Sequence, residues 1–441
     1  MVELRALARL ALPLALAQAG QALMGMVDTA VVGRLSETAQ GACGLGNSLT
    51  FTFTYFGMGV MMALDPLVSQ AIGANDPLRA RSTWWQGVWL ALLTAAVVMV
   101  PIALAPLALS PLGVTPAVAD GAGLYMWLRL PGVPASLLFI GTRAYLQGVG
   151  RTRAIFWATV VANLANFLLD VVLVFGVGPL PGLGVAGAAI ATTLCLYLQL
   201  GVLLWALGPS PRGVTRRPQR AAIAHAGRVG LPIGLHLIAE SGVFSLAGVL
   251  AGRLGEEAMA AHQVALTWAS LSFCVAVGIG SAGSVRVGWR IGQRDTPAAR
   301  RSGLVAFGSG AAFMAFSALF FLLVPGPLAR AMSDKPPVIA TAIALFGVTA
   351  VFQISDGVQA VGAGVLRGIG DTRFTFWANI VGHWAIGLPI ALWLGVFGPL
   401  GLVGLWWGLS AGLTAVALAL LVRFALVTRR PIEPLAVQGD A

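Results

Sequence analysis

The sequence predicts an all-α integral membrane protein with twelve transmembrane helices, arranged as two parallel, pseudo-symmetric six-helix lobes around a central cleft. Three observations predict it. Of 441 residues, 58% are hydrophobic and only 10% charged, with a mean hydropathy of +0.87, far too little charge to cover a water-facing surface. Apolar stretches of about 20 residues, each enough to cross a bilayer as a helix, recur along the whole chain. The second half of the chain also repeats the first.

The spans are expected at 10–33, 43–68, 83–109, 122–146, 154–176, 183–207, 229–251, 259–285, 303–325, 338–364, 374–396 and 399–425. Charge supports this count independently of hydropathy. Of 27 basic residues, 22 fall in the tails and in alternate connections, from Arg5 and Arg9 through Arg79, Arg81, Arg151, Arg153 and Arg216 to Arg429 and Arg430. The opposite connections hold Arg34, Arg253, Arg330 and Lys335, and Arg129 lies inside the fourth span, where it either snorkels to the outer surface, the favoured reading, or pairs with an acid in the cleft. This positive-inside pattern puts both termini on the cytoplasmic side of a multi-pass membrane protein with an even number of spans. It also accounts for the net charge of +11 without nucleic acid, which is not expected as a partner.

The repeat is nearly free of gaps. At an offset of 219, Leu12-Pro13 matches Leu231-Pro232, Gly33-Arg34-Leu35 matches Gly252-Arg253-Leu254, and Asp76 matches Asp295. At 220, Gly148, Gly150, Thr152 and Arg153 match Gly368, Gly370, Thr372 and Arg373, and Gly178-Pro179-Leu180 matches Gly398-Pro399-Leu400. A duplicated unit with an even number of spans enters the membrane twice from the same side, which makes parallel repeats. The division is an N-lobe at 1–207, a Pro/Arg-rich cytoplasmic linker at 208–228 and a C-lobe at 229–441. Two fused lobes already form a pseudo-dimer, so a monomer is expected. A cleft between two such lobes suits alternating access.

Five acids stand inside the spans: Asp28, Asp65, Asp170, Glu240 and Asp356. A charge in hydrocarbon costs roughly 2.5 to 3.5 kcal/mol on insertion scales, so such residues point to use. In the first span Gln18, Gln21 and Asp28 share one helical stripe, and in the fifth Asn163, Asn166 and Asp170 share another. If the stripes face each other, two carboxylates and several amides form an N-lobe cation site, able to share a proton or to hold Na⁺ among oxygens. In the C-lobe, His236 and Glu240 are four apart on the seventh span, and Gln353 and Asp356 three apart on the tenth. These four make a second site, for cation or substrate. The repeat breaks here: Glu240 falls opposite Gln21, Asp28 opposite Ala247, and His383 opposite Asn163. Asp65, before Pro66 at the inner end of the second span, is either a gate or a structural partner. Asp76, Asp295 and Asp371 are expected to fix cytoplasmic loops beside arginines. Trp268, Trp384 and Phe352 are weaker candidates for lining a cation path.

Cys43, Cys195 and Cys274 are expected to pack within helices, without disulfide or metal. No nucleophile elbow, zinc-protease motif or phosphate loop is present, and the four histidines are scattered. An enzyme is therefore not expected, nor a cofactor beyond a coupling ion.

These residues resemble the multidrug and toxic compound extrusion (MATE) transporters over about 5–425. Leu12-Pro13 with Met26-Val27-Asp28-Thr29-Ala30 is similar to that family's first helix, and Ala63-Leu64-Asp65-Pro66 through Gly73-Ala74 to its second-helix signature, with an acid at Asp65 in the eukaryotic manner. Leu146-Gln147-Gly148 with Gly150, Thr152 and Arg153, and Leu366-Arg367-Gly368 with Gly370-Asp371-Thr372-Arg373, resemble its paired loops after helices four and ten. The resemblance implies an antiporter that exports organic cations, small-molecule multidrug substrates, in exchange for Na⁺ or H⁺. It implies an N-lobe cation site at Asp28, Asn166 and Asp170. For NorM-like members it also implies acids at Glu240 and Asp356. A lipid-linked oligosaccharide flippase of the same broad superfamily is the alternative, disfavoured because its pyrophosphate cargo wants basic residues where these are acidic.

Overall fold

The computed structural model describes residues 2–177 and 180–435. Gly178 and Pro179 of one repeat match, and residues 436–441 of the C-terminal tail, lie outside that range. The described residues are almost wholly helical. In chain order the helices are α1 (Val2–Val32), α2 (Glu37–Met61), α3 (Leu64–Gly73), α4 (Pro77–Leu109), α5 (Pro116–Arg129), α6 (Gly132–Gly148), α7 (Thr152–Phe175), α8 (Val185–Leu207), α9 (Arg220–Arg253), α10 (Glu256–Gly292), α11 (Thr296–Leu323), α12 (Pro325–Arg330), α13 (Pro336–Ile369), α14 (Thr372–Asn379), α15 (Leu388–Ala391) and α16 (Gly401–Val427). A short hairpin, β1 (Gly176–Val177) with β2 (Leu180–Pro181), joins α7 to α8.

Eleven helical segments are long and apolar enough to cross a membrane, and one bent pair brings the number to twelve. Most run several residues past the hydropathy windows, as α10 does to Gly292 and α9 does back to Arg220. Backbone hydrogen bonding does not stop where the hydrocarbon does. Residues 220–228, placed in the linker by their composition, are therefore helix.

The bent pair is the fourth span. It is not one rod: α5 and α6 meet at 50° around Leu130-Pro131. Proline removes a donor and frees carbonyls, which in hydrocarbon need new partners. Helix α8 supplies them, Thr193 Oγ1 donating to Leu128 O (3.1 Å) and Tyr197 Oη to Pro131 O (2.7 Å). The eleventh span is irregular too, since α14 runs on through Ile380–Gly387 and, beyond α15, Leu392–Phe397 as wide π-helical turns. Its counterpart α7 is plain α-helix.

The duplication survives in the backbone. Asn75 and Arg294 both adopt left-handed φ (59° and 58°). After each, an aspartate N–H reaches back to a helical carbonyl, Asp76 to Ala71 (3.0 Å) and Asp295 to Arg290 (2.9 Å). Each carboxylate then caps the next helix by accepting from Arg79 N and Ala298 N. Both acids thus fix their loops as helix caps on backbone N–H groups. Asp371 does pair with an arginine, accepting from Arg423 Nε at 2.7 Å. Left-handed Gly150 and Gly370 end α6 and α13 in the same way, with Arg151 N on Leu146 O and Asp371 N on Leu366 O.

Contacts divide the chain into two compact units: residues 2–16, 73–75 and Leu235–Leu435 in one, Ala17–Ile72 and Asp76–Gly234 in the other. The first halves of α1 and α9 thus cluster with the unit that does not hold their second halves. In the first unit, Glu3 pairs with Arg286 and Arg290 of α10, and a core of Phe346, Phe352, Trp406 and their neighbours fills the interior. Helices α10 and α13 touch at glycines: a methyl at Gly364 would stand 2.3 Å from Gly280 O. In the second unit, Gly59 of α2 meets Gly234 of α9, where a methyl would lie 2.5 Å from Cα. Close backbone approach through small residues is how helices pack without a hydrophobic driving force.

Gly364→Ala should therefore force α13 from α10 and destabilise the fold by about 1 to 3 kcal/mol. Gly347→Ala, on the same helix but with nothing within 4 Å, serves as control. Thermal unfolding in detergent should show a lower midpoint for the first variant only.

Candidate functional site: two buried polar clusters

In the second unit, α1 lies on α7. A methyl at Gly20 would stand 2.7 Å from Thr159 Cγ2 and 3.4 Å from Asn163 Nδ2. From that contact, Asp28 and Asp170 lie two to three turns further along parallel helices, and their carboxyls meet at hydrogen-bonding range. Asp170 and Asn166 are fully buried. Both oxygens of Asp170, one of Asp28 and both polar atoms of the Asn166 amide have no protein donor or acceptor. Two carboxylates that face each other offer only acceptors. Such a pair is completed by one proton between them or by a cation.

Thr192 of α8 joins this cluster. Its hydroxyl stands 3.2 Å from Asp28 Oδ2 and 2.8 Å from the Ala188 carbonyl, and its one proton serves one of them at a time. Asn163, beside Gly20 of α1, donates to Thr159 O of its own helix (2.9 Å). Gln18, on the Asp28 stripe, is held elsewhere. It accepts from Arg143, which also bonds Gln147, which in turn donates to Asp65 (3.2 Å). Asp65 is buried and ties α3 to α6 in this network. Arg129 is half-buried: its Nε and Nη1 are buried and unpartnered, and Tyr125, Cys43 and Cys195 lie within electrostatic range of both Arg129 and Asp28. A half-buried cation thus stands in the neighbourhood of the acid pair.

In the first unit, Glu240 of α9 is the centre. His236 Nε2 stands 3.0 Å from Glu240 Oε2, and Gln359 of α13 donates to Oε1 (3.1 Å). Asp356 and His383 are within coulombic range of Glu240. Asn379 of α14 places its side-chain amide 2.9 Å from the same Nε2. One ring nitrogen cannot serve both partners at once. With a proton it donates to Glu240; without one it accepts from Asn379. Gln353 is fully buried and donates to Ser272 of α10 (2.5 Å), its amide oxygen having no protein partner.

Thr192, Arg129, Gln359 and Asn379 were not among the expected site residues. Gln359 stands three residues after Asp356, the same spacing that links Gln353 to Asp356, so the stripe extends one step further. Thr192 carries no charge and left no signal. Asn379 falls opposite Thr159 in the repeat, a position of ordinary polarity.

The aromatic candidates are held by packing and by hydrogen bonds to backbone carbonyls. Phe352 is buried edge-on against Phe244 and Trp406, and Trp268 donates to Leu328 O. Trp384 donates to Ala239 O and is partly exposed. The three cysteines are free. Among the described residues no group of three or more His, Cys, Asp or Glu has metal-ligand geometry.

Comparison with known proteins matches both halves. The sequence profile of the MatE family covers residues 13–172 and again 232–393, two matches starting at the spacing of the internal repeat. The multidrug resistance protein NorM of Burkholderia vietnamiensis is 38% identical over 431 residues, covering 96% of this chain and 93% of its own. A probable multidrug resistance protein NorM of Burkholderia pseudomallei is 36% identical over 446 residues, covering 98% and 94%. The crystal structure of a eukaryotic MATE transporter, AtDTX14, superposes with a TM-score of 0.85 at 20% identity, covering 97% of this chain and 98% of that one.

The geometry at His236 yields a test. His236→Gln keeps a side chain that can still donate to Glu240, and should leave the thermal midpoint within a few degrees of the native value. His236→Leu removes the group that stands 3.0 Å from Glu240 Oε2 and should lower the midpoint further, at a cost of about 1 to 3 kcal/mol. Equal midpoints for the two variants would mean that this contact does not hold Glu240.

Proposed function

The chain belongs to the MatE family of transporters, and from that premise we propose that it is a cation-coupled multidrug exporter working by alternating access. The observation that carries this is the Asp28–Asp170 pair: a fully buried carboxyl faces a half-buried one, with unpartnered buried oxygens on Asp28, Asp170 and Asn166. The relatives named as multidrug resistance proteins supply the cargo class, small organic molecules. The acidic character of both clusters narrows it to cations and argues against an anionic cargo.

In the proposed cycle, ionised carboxylates attract an amphipathic cation into the cleft from the cytoplasm. The lobes then open to the outside. There H⁺ or Na⁺ enters the pair, with the Thr192 hydroxyl and Asn166 amide turning toward it. The field that held the cargo is neutralised and the cargo leaves. Glu240, held by His236 and Gln359, adds a second negative centre with its own proton acceptor. Coupling requires only that ion and cargo favour different states. Arg129 would act as an internal counter-charge that keeps the empty pair from costing its full desolvation. The protein would sit as a monomer in the bacterial inner membrane with both termini in the cytoplasm, and would run no chemical reaction.

Efflux of a fluorescent organic cation from proteoliposomes tests this. An imposed Na⁺ or pH gradient should accelerate efflux, and Asp28→Asn should abolish the gradient-driven component while the protein still elutes as a folded monodisperse species. Undiminished transport in that variant would remove the pair from the mechanism. A native protein insensitive to both gradients would remove the antiport.

A further inference from the structure

At the opposite end of the second unit from the acid pair, the start of α4, the end of α8 and the linker border an open cavity of about 320 Å³. It is lined by Arg81, Trp84, Trp85, Leu204, Leu207, Gly208, Pro209, Ser210 and Arg216. Its lining is unlike anything in the clusters above: two arginines, two tryptophans, apolar wall and no acid.

The cavity exists because the linker is strapped down along one face of α4. Trp85 donates to Ser210 Oγ (3.0 Å), Gln86 to Arg217 O (3.0 Å) and Trp89 to Arg216 O (2.9 Å), while Ser82 and Gln86 accept from Thr215 N and Gln219 N. Positions 82, 85, 86 and 89 follow helical spacing on one face. Arg81 is 3% exposed and holds the strap's first turn through Gly208 O and Ser210 Oγ, with its guanidinium stacked over Trp84 and Tyr145. Arg216, on the strap, lies over Trp85 at 5.7 Å. Among the described residues its guanidinium makes no hydrogen bond or ion pair. The two guanidiniums feel each other's charge. Two like charges are thus held on one small cavity with no carboxylate to offset them, an arrangement completed by an anion.

The surroundings say which anion. Bare apolar side chains stand on the same two helices: Trp205 is 85% exposed, and Leu93, Val97 and Leu204 are exposed as well. Tryptophans at this level are those of a membrane interface. A basic cavity between spans, at the level of the headgroups and flanked by bare apolar helix, suits a phosphodiester whose acyl chains run along α4 and α8. A soluble phosphate would gain nothing from Leu204, Leu207 and Pro209.

We propose that the cavity between α4, α8 and the 208–219 strap is a binding site for the headgroup of an anionic phospholipid, with Arg216 and Arg81 as its phosphate ligands. Such a site stands apart from export and does not depend on it.

Native mass spectrometry of the delipidated full-length protein, titrated separately with phosphatidylglycerol, phosphatidylcholine and inorganic phosphate, tests the site. Phosphatidylglycerol should bind in preference to phosphatidylcholine. Arg216→Gln should lower that binding about five-fold, the worth of one interfacial arginine, while Arg429→Gln, an equal loss of charge elsewhere, should not. A thermal shift with phosphatidylglycerol should shrink in parallel. Equal retention of the two lipids, an Arg216→Gln variant that binds like the native protein, or equal loss in the Arg429→Gln control would overturn the proposal. Competition by inorganic phosphate at concentrations comparable to the lipid would replace the lipid with a soluble anion.

Discussion

An ionised carboxyl group surrounded by hydrocarbon must find a counter-charge, a proton or a set of donors, and the polar interior of this protein is organised by that requirement. Asp65 finds donors in a network through Gln147 and Arg143 to Gln18. Glu240 finds His236 and Gln359. Asp28 and Asp170 find chiefly each other. The first two solutions are complete within the protein. The third is complete only with something added, which is why the pair, and not the more richly bonded Glu240, carries the functional reading. The same rule governs the backbone: where Pro131 breaks the fourth span, Thr193 and Tyr197 of α8 take up the carbonyls it frees.

The two halves show how duplication diverges. Their loop geometry is shared to the level of single hydrogen bonds, so that a left-handed Asn75 in one half is a left-handed Arg294 in the other, although arginine gains nothing locally from that conformation. The interiors have gone separate ways. Helix α7 carries an acid and an amide on a regular helix, while its counterpart winds through π turns and carries Asn379 and His383. Wide turns of this kind cost hydrogen-bond geometry and recur at functional positions.

Much of this was legible in the sequence, for definite reasons. Hydropathy and arginine placement located the spans, because membrane thickness and charge asymmetry act on composition directly. The Asp28 and Asp170 stripes could be read because helical spacing is rigid and both helices run the same way. What composition could not carry was contact between segments distant in sequence. Nothing in the order of residues says that Gln18 is taken by Arg143, that Gln353 is taken by Ser272, or that Thr192 reaches Asp28. The burial of two Arg129 nitrogens is of the same kind: its position near Pro131 does not say which groups surround it.

The pairing of Asp28 with Asp170 has a consequence for energetics across the membrane. Two carboxyls that share a single positive charge make a site of fixed capacity. If one monovalent ion enters it for each singly charged molecule that leaves, no net charge crosses the bilayer, and the membrane voltage does no work on the exchange. Only the concentration gradient of the ion would then drive export. Were a second ion taken up, by Glu240 or by the other carboxyl, each turnover would move one charge, and the voltage would add about 2.3 kcal/mol per 100 mV. The occupancy of these acids would in that case set which of the cell's two energy stores, chemical or electrical, the protein draws on.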